Sequence, residues 1–133
     1  MNESLFTKII RGEIPSYKIY EDAKNFAFLD IQPIQPGMVL VVPKTQIGKF
    51  YELPDDDLTA LWLAVKKVAA HMEKVLGKRT TVMIEGFDVK DHVHVKLIPA
   101  DVGEEFRALP HDATADELAA MAKKLRMADD FAK

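Results

Sequence analysis

The chain contains no cysteine. That excludes disulfides, cysteine-ligated zinc and thiol nucleophiles, and it suits a reducing cytosol. No apolar run approaches the roughly 18 residues that a membrane span needs. Met1-Asn2-Glu3-Ser4 lacks the basic start and apolar stretch of a signal peptide. The expected location is cytoplasmic, with no membrane partner. Positive charge is also scarce: 18 Lys and Arg against 21 Asp and Glu leave a net charge of −3. Without a global attractive field, no nucleic-acid partner is expected, and any phosphate site must be local. Internal repeats and low-complexity segments are absent from the sequence as well.

What remains is the composition of a globular protein, 48% hydrophobic and 29% charged. It predicts a single domain over residues 1–133, with a core at 1–100 and a C-terminal extension at 101–133 that carries a helix. Leu5, Phe6, Ile9 and Ile10 have helical spacing, stopped by Gly12 and Pro15. Strands are expected at 16–21 and 26–29, the second ending at Asp30. Two prolines make Gln32 to Gly37 a loop. Met38 to Val42 runs apolar without a break, as a central strand covered on both faces does, and Pro43 closes it.

The Asp55-Asp56-Asp57 cluster is expected to cap a long amphipathic helix. Its apolar stripe runs through Leu58, Leu61, Trp62, Val65, Val68, Ala69, Met72, Val75 and Leu76, with Gly77 as the stop. Strands follow at 80–84 and 92–98, joined by a connection over 85–91. A last helix is expected from Thr114 to Met127, with Thr114 and Glu117 forming a capping box. The fold class is therefore α+β, a mainly antiparallel sheet of about five strands with helices before, between and after them.

The stretch His92-Val93-His94-Val95-Lys96 carries the chemistry. Side chains alternate along a strand, so His92, His94 and Lys96 share one face while Val93, Val95 and Leu97 take the other. The bland reading is two strand histidines that happen to share a face. A metal pair would need a further ligand and would be opposed by the ammonium of Lys96. The third reading is nucleophilic: a neutral imidazole attacks phosphorus, and the lysine stabilises the phosphoryl oxygens. Spacing alone leaves the three open. Elsewhere, His71 reads as solvated and His111 as a residue of a polar stretch. Asp30 is either turn chemistry or a functional carboxylate, Gly86 most simply serves a turn, and Met83 reads as core filler.

In order and spacing, several segments together resemble the histidine triad (HIT) family of nucleotide hydrolases and transferases. They are Ser4-Leu5-Phe6-Thr7-Lys8-Ile9-Ile10-Arg11-Gly12-Glu13-Ile14-Pro15, Phe26-Ala27-Phe28-Leu29-Asp30-Ile31, Pro36-Gly37 through Pro43-Lys44, and His92 through Pro99. The resemblance implies a HIT-like fold and makes His94 the nucleophile of a nucleotidyl-histidine intermediate, supported by His92. It places Asp30 at the ribose hydroxyls and Phe28 and Ile31 near the nucleoside. It implies a purine nucleotide substrate such as an AMP derivative, attacked at its α-phosphate, and a homodimer whose sheets join edge to edge. No cofactor is implied.

The departures are specific. Lys96 stands at the third triad position and would hold the phosphate. Ser4 and Thr7 stand where many bacterial members carry zinc-binding cysteines, and Gln46 where such members often have histidine, so no metal is expected. Met38 replaces a frequent histidine. The family's Gly-Gln-Ser/Thr phosphate-facing element is missing from the 87–91 connection, where Lys90 either supplies charge or is solvated. The implied activity is hydrolysis or nucleotidyl transfer. The alternative is a nucleotide-binding module with weak or no catalysis because of Lys96.

Overall fold

A computed structural model describes residues 2–85, 89, 91–101 and 112–127. Among them, five strands form one antiparallel sheet in the order β1-β2-β3-β5-β4. The strands are β1 (Lys18–Glu21), β2 (Asn25–Leu29), β3 (Val39–Pro43), β4 (Thr80–Glu85) and β5 (His94–Pro99). The helices are α1 (Leu5–Ile10), α2 (Asp55–Leu76) and α3 (Ala115–Leu125). The α+β class, the central place of the uninterrupted apolar run and the three helices agree with the sequence reading.

Both faces of the sheet are covered. On one, Ala27, Leu29, Val39, Val41, Val95 and Leu97 pack under Leu61, Val65, Val68 and Met72 of α2 and Leu118, Ala122 and Leu125 of α3. On the other, Phe26, Phe28, Leu40, Val42 and Ile98 pack under Phe6 and Ile9 of α1. This explains why β2 and β3 are buried at every position and show no polar alternation.

Register aligns one row across all five strands on the α1 side: Lys18 opposite Phe28, Phe28 opposite Leu40, Leu40 opposite Lys96, and Lys96 opposite Met83. Directly opposed residues in antiparallel pairs are side-chain neighbours. The lysine therefore lies between Leu40 and Met83.

Several expectations need correction. The last strand begins at His94, not His92, because the amides of His92 and Val93 donate to the carbonyls of Val89 and Ile47 at 3.3 and 2.7 Å. The aspartate cluster does not cap α2. Pro54 occupies the cap position, and the aspartates fill the first turn, where Asp57 accepts from Lys24 Nζ at 2.7 Å. Gly77 does end the helix, with φ of 72° that suits glycine.

Trp62 and Val75 are exposed, since the buried stripe of α2 is narrower than the sequence stripe. Met83 is 41% exposed rather than core filler, because β4 is an edge strand. His71 is half-buried, and its Nε2 lies 2.5 Å from the carbonyl oxygen of Leu125 at the end of α3. The capping box of α3 is formed: Glu117 N–H donates to Thr114 Oγ1 at 3.1 Å, and Thr114 N–H to Glu117 Oε1 at 3.0 Å. Gly86, Lys90 and His111 lie outside the described residues.

Candidate active site

His92 and His94 are both fully buried, and Lys96 is 9% exposed. The His92 ring is held at both nitrogens. Nε2 lies 2.6 Å from the carbonyl oxygen of Pro43, an atom that only accepts, so Nε2 carries a proton. Nδ1 lies 2.6 Å from Ser4 Oγ. In the neutral ring Nδ1 is then an acceptor, and the serine hydroxyl donates to it. Burial holds the His92 pKa below its usual 6.5, the Pro43 carbonyl acts in the opposite direction, and the proximity of a second imidazole, His94, lowers it further.

The same logic fixes His94. Its Nδ1 lies 2.9 Å from the carbonyl oxygen of His92, so Nδ1 donates and Nε2 bears the lone pair of the neutral ring. The ring of Phe6 meets both imidazoles edge-on, with centroids 5.6 Å from His92 and 5.1 Å from His94. It also meets Phe28 at 5.6 Å.

Ser4, Thr7 and Gln46 come together around His92. Ser4 caps α1 by accepting from Thr7 N–H at 3.0 Å. Thr7 Oγ1 and the Ser4 amide both donate to Gln46 Oε1 at 2.8 Å. Gln46 Nε2 in turn donates to the carbonyl of Asn2 at 2.7 Å. All three side chains are neutral, so the cluster supplies hydrogen bonds and no anionic ligand.

Beside this cluster, a pocket of about 270 Å³ opens between α1 and the sheet. Its walls include Leu5, Phe6, Ile9, Ile14, Phe28, Ile31, Leu40 and Val89, with Ser16, Asp30 and Gln32 as polar members. Such a slot, largely apolar with few polar groups, suits a flat aromatic ligand carrying a polar appendage. Phe28, Asp30 and Ile31 therefore line one pocket, as the sequence reading grouped them. Phe28 is buried at its floor, and Ile31 is 60% exposed at its rim. The Asp30 carboxylate accepts from Gln32 N–H at 2.8 Å, so its turn role and its place in the pocket coexist.

His94 is not among the lining residues; Phe6 and Phe28 bridge the two places, the first touching its ring. Lys96 neighbours Leu40, which belongs to the pocket wall. The sequence reading missed the walls supplied by Leu5, Phe6 and Ile9, although their helical spacing marked an apolar face. It also missed the Pro43 carbonyl, which no side-chain pattern can announce.

A family model described as the HIT domain matches residues 11–103. The chain is 42% identical over 106 residues to adenosine 5'-monophosphoramidase HNT1 of Candida albicans, covering 71% of this chain and 68% of that protein. It is 36% identical over 100 residues to adenosine 5'-monophosphoramidase hnt1 of Schizosaccharomyces pombe, covering 71% and 72%. A crystal structure of a Hit-like protein involved in cell-cycle regulation from Bartonella henselae superposes with a TM-score of 0.84. It is 33% identical and covers 95% of this chain and 96% of that one. A crystal structure of the histidine triad nucleotide-binding protein from Candida albicans gives 0.65 at 37% identity, covering 92% and 94%. With its sheet, its buried histidine pair and these relatives in agreement, the chain belongs to the HIT domain family.

Proposed function

We propose that the protein is a nucleotide hydrolase or nucleotidyl transferase that works at the α-phosphate of a purine nucleotide derivative such as an adenosine phosphoramidate. The observation that carries this reading is the 2.9 Å bond from His94 Nδ1 to the His92 carbonyl, which leaves the lone pair on His94 Nε2. That nitrogen attacks phosphorus, the bond from phosphorus to the leaving nitrogen breaks, and the leaving amine departs with a proton drawn from water. The ring becomes positively charged while it holds the nucleotidyl group, and the His92 carbonyl stabilises that charge through Nδ1–H. Water, or another acceptor, then takes the nucleotidyl group and regenerates the neutral ring.

Lys96 stands at the third triad position and holds the phosphoryl oxygens, Asp30 receives the ribose hydroxyls, and Phe28 and Ile31 contact the nucleoside. The relatives named adenosine 5'-monophosphoramidases support the substrate class. Mass spectrometry of enzyme quenched during turnover of an adenosine phosphoramidate should show a nucleotidyl adduct on wild-type protein and none on His94→Ala. Unchanged turnover in that variant defeats the mechanism.

We also infer a cytoplasmic homodimer joined through the outer edge of β4. That edge carries Val82 and Met83, each 41% exposed, and α2 exposes Trp62 and Leu63. Sedimentation analysis should give twice the chain mass, reduced to the chain mass by Val82→Lys.

A further inference from the structure

Four polar side chains from three separate parts of the chain meet at one point that the reaction itself does not use. Ser4 is the cap of α1, Thr7 lies one turn along it, Gln46 follows β3, and His92 precedes β5. Ser4 is 7% exposed and His92 fully buried, so water does not satisfy the bond between them, while Thr7 and Gln46 are half-buried behind it. Their hydrogen bonds must therefore agree in direction, since each hydroxyl has one proton to give.

The directions follow from the fixed ends. Pro43 O accepts from His92 Nε2, so in the neutral ring, which full burial favours, Nδ1 must accept. The Ser4 proton goes there, at 2.6 Å, rather than to Thr7 Oγ1 at 3.2 Å. Thr7 then gives its proton to Gln46 Oε1, and the serine oxygen accepts from the Thr7 amide. Each of these donors then has an acceptor, and only one neutral tautomer of His92 fits.

We propose that Ser4, backed by Thr7 and Gln46, is the positioning residue of the site: it holds His92 as the neutral ring protonated at Nε2. The fixed ring in turn holds the His92 carbonyl on Nδ1–H of His94. The catalytic meaning rests on the nucleophile reading above. The protonation pattern does not. Because α1 also contributes Leu5, Phe6 and Ile9 to the pocket wall, the clasp ties the nucleoside side of the site to the strand that bears the nucleophile.

Heteronuclear NMR of the histidine rings tests the proposal on the full chain, with or without turnover. In wild-type protein His92 should show a protonated Nε2, slow to exchange with water, and an Nδ1 resonance typical of a hydrogen-bonded acceptor. Ser4→Ala should move Nδ1 to the value of an unbonded acceptor and slow adduct formation about tenfold, with KM within twofold of wild type. Ser4→Thr keeps the hydroxyl and should restore both.

Ser4→Asp separates this role from helix capping. It keeps the cap acceptor but offers Nδ1 only a carboxylate, so His92 should hold two protons near neutral pH. A wild-type ring protonated at Nδ1 overturns the proposal, as does a folded Ser4→Asp protein whose His92 stays singly protonated. The wild-type spectrum decides the matter even where a variant does not fold. Wild-type protein that forms no adduct defeats the nucleophile reading and leaves the NMR result standing by itself.

Discussion

The His94 imidazole donates from Nδ1 to the carbonyl of His92, two residues back in its own chain, at 2.9 Å. A backbone carbonyl cannot reverse its role, so this bond chooses which nitrogen can attack. The nucleotidyl group should therefore be attached at Nε2. Phosphorus–nitrogen coupling in the trapped intermediate, measured on ¹⁵N-histidine protein, should show one bond to Nε2. A bond to Nδ1 would require the ring to have turned away from the His92 carbonyl, and the assignment of roles would fail with it.

His92 makes stability depend on acid. Its pKa is held below 6.5 in the folded chain, with burial as the main cause. The unfolded chain therefore binds a proton more readily, and stability rises with pH across this window. The contribution is complete above about pH 6.5 and is lost progressively as pH falls through 6.5 towards the lower folded value. One such proton gives a slope of up to about 1.4 kcal/mol per pH unit. Urea midpoints measured at steps from pH 8 to pH 5 should fall below pH 6.5, and His92→Asn should be less stable at pH 8 but flatter over that interval. An equally steep loss in the variant would assign the acid sensitivity elsewhere.

Asp30 lines the pocket between α1 and the sheet, half-buried, with Gln32 N–H fixing one oxygen. A charged acceptor to a ribose hydroxyl contributes on the order of 1.5–3 kcal/mol. If Asp30 receives the ribose hydroxyls as proposed, Asp30→Ala should raise KM for an AMP-derived substrate at least about tenfold, while the 2',3'-dideoxy analogue, which lacks those hydroxyls, should bind the variant and the wild type alike. Equal losses for both analogues would mean that the carboxylate only shapes the turn.

On the proposed mechanism Lys96 holds phosphoryl oxygens and does not relay a proton to the leaving group, so the reaction is slowest where the leaving group needs protonation. Lys96→His should speed turnover of an adenosine phosphoramidate by about tenfold or more, within the range of general acid catalysis. A nitrophenyl ester of AMP, whose leaving group departs as an anion, should gain far less. A uniform gain with both substrates would place the effect in phosphate binding instead.

The capping box at the start of α3 should be worth about 1 kcal/mol. Thr114→Ala should lower the unfolding free energy by that amount, as read from denaturant midpoints, without changing KM by more than twofold.

How far the sequence leads depends on what kind of partner each residue has. The apolar spacing of Leu61, Val65, Val68 and Met72 located α2, because burial leaves a periodic trace. The alternation of His92, His94 and Lys96 against Val93, Val95 and Leu97 separated the two faces of the sheet. It also misled: His92 keeps the phase of the strand, yet its amide bonds Val89 and lies outside the ladder. The aspartates at 55–57 look like caps in sequence, but Pro54 holds the cap position and Asp57 turns to Lys24. His71 looks solvated from the helical wheel because the wheel knows nothing of Leu125, 54 residues away. Ser4, Thr7 and Gln46 were visible only as departures from a family pattern. Their meeting at His92 spans 88 residues of chain between Ser4 and the ring, and local periodicity carries no record of it.

The bond between the His92 ring and the Pro43 carbonyl has a consequence for how such a chain would diverge. The imidazole ties the end of one strand to the approach of another, so any replacement there breaks a buried contact of the scaffold as well as a part of the site. On the proposed mechanism, a descendant that lost the activity would still be under pressure to keep this histidine, whereas His94 would be free to drift. Among relatives with altered sequences, an intact His92 would therefore report a folded protein, and only His94 would report a working one.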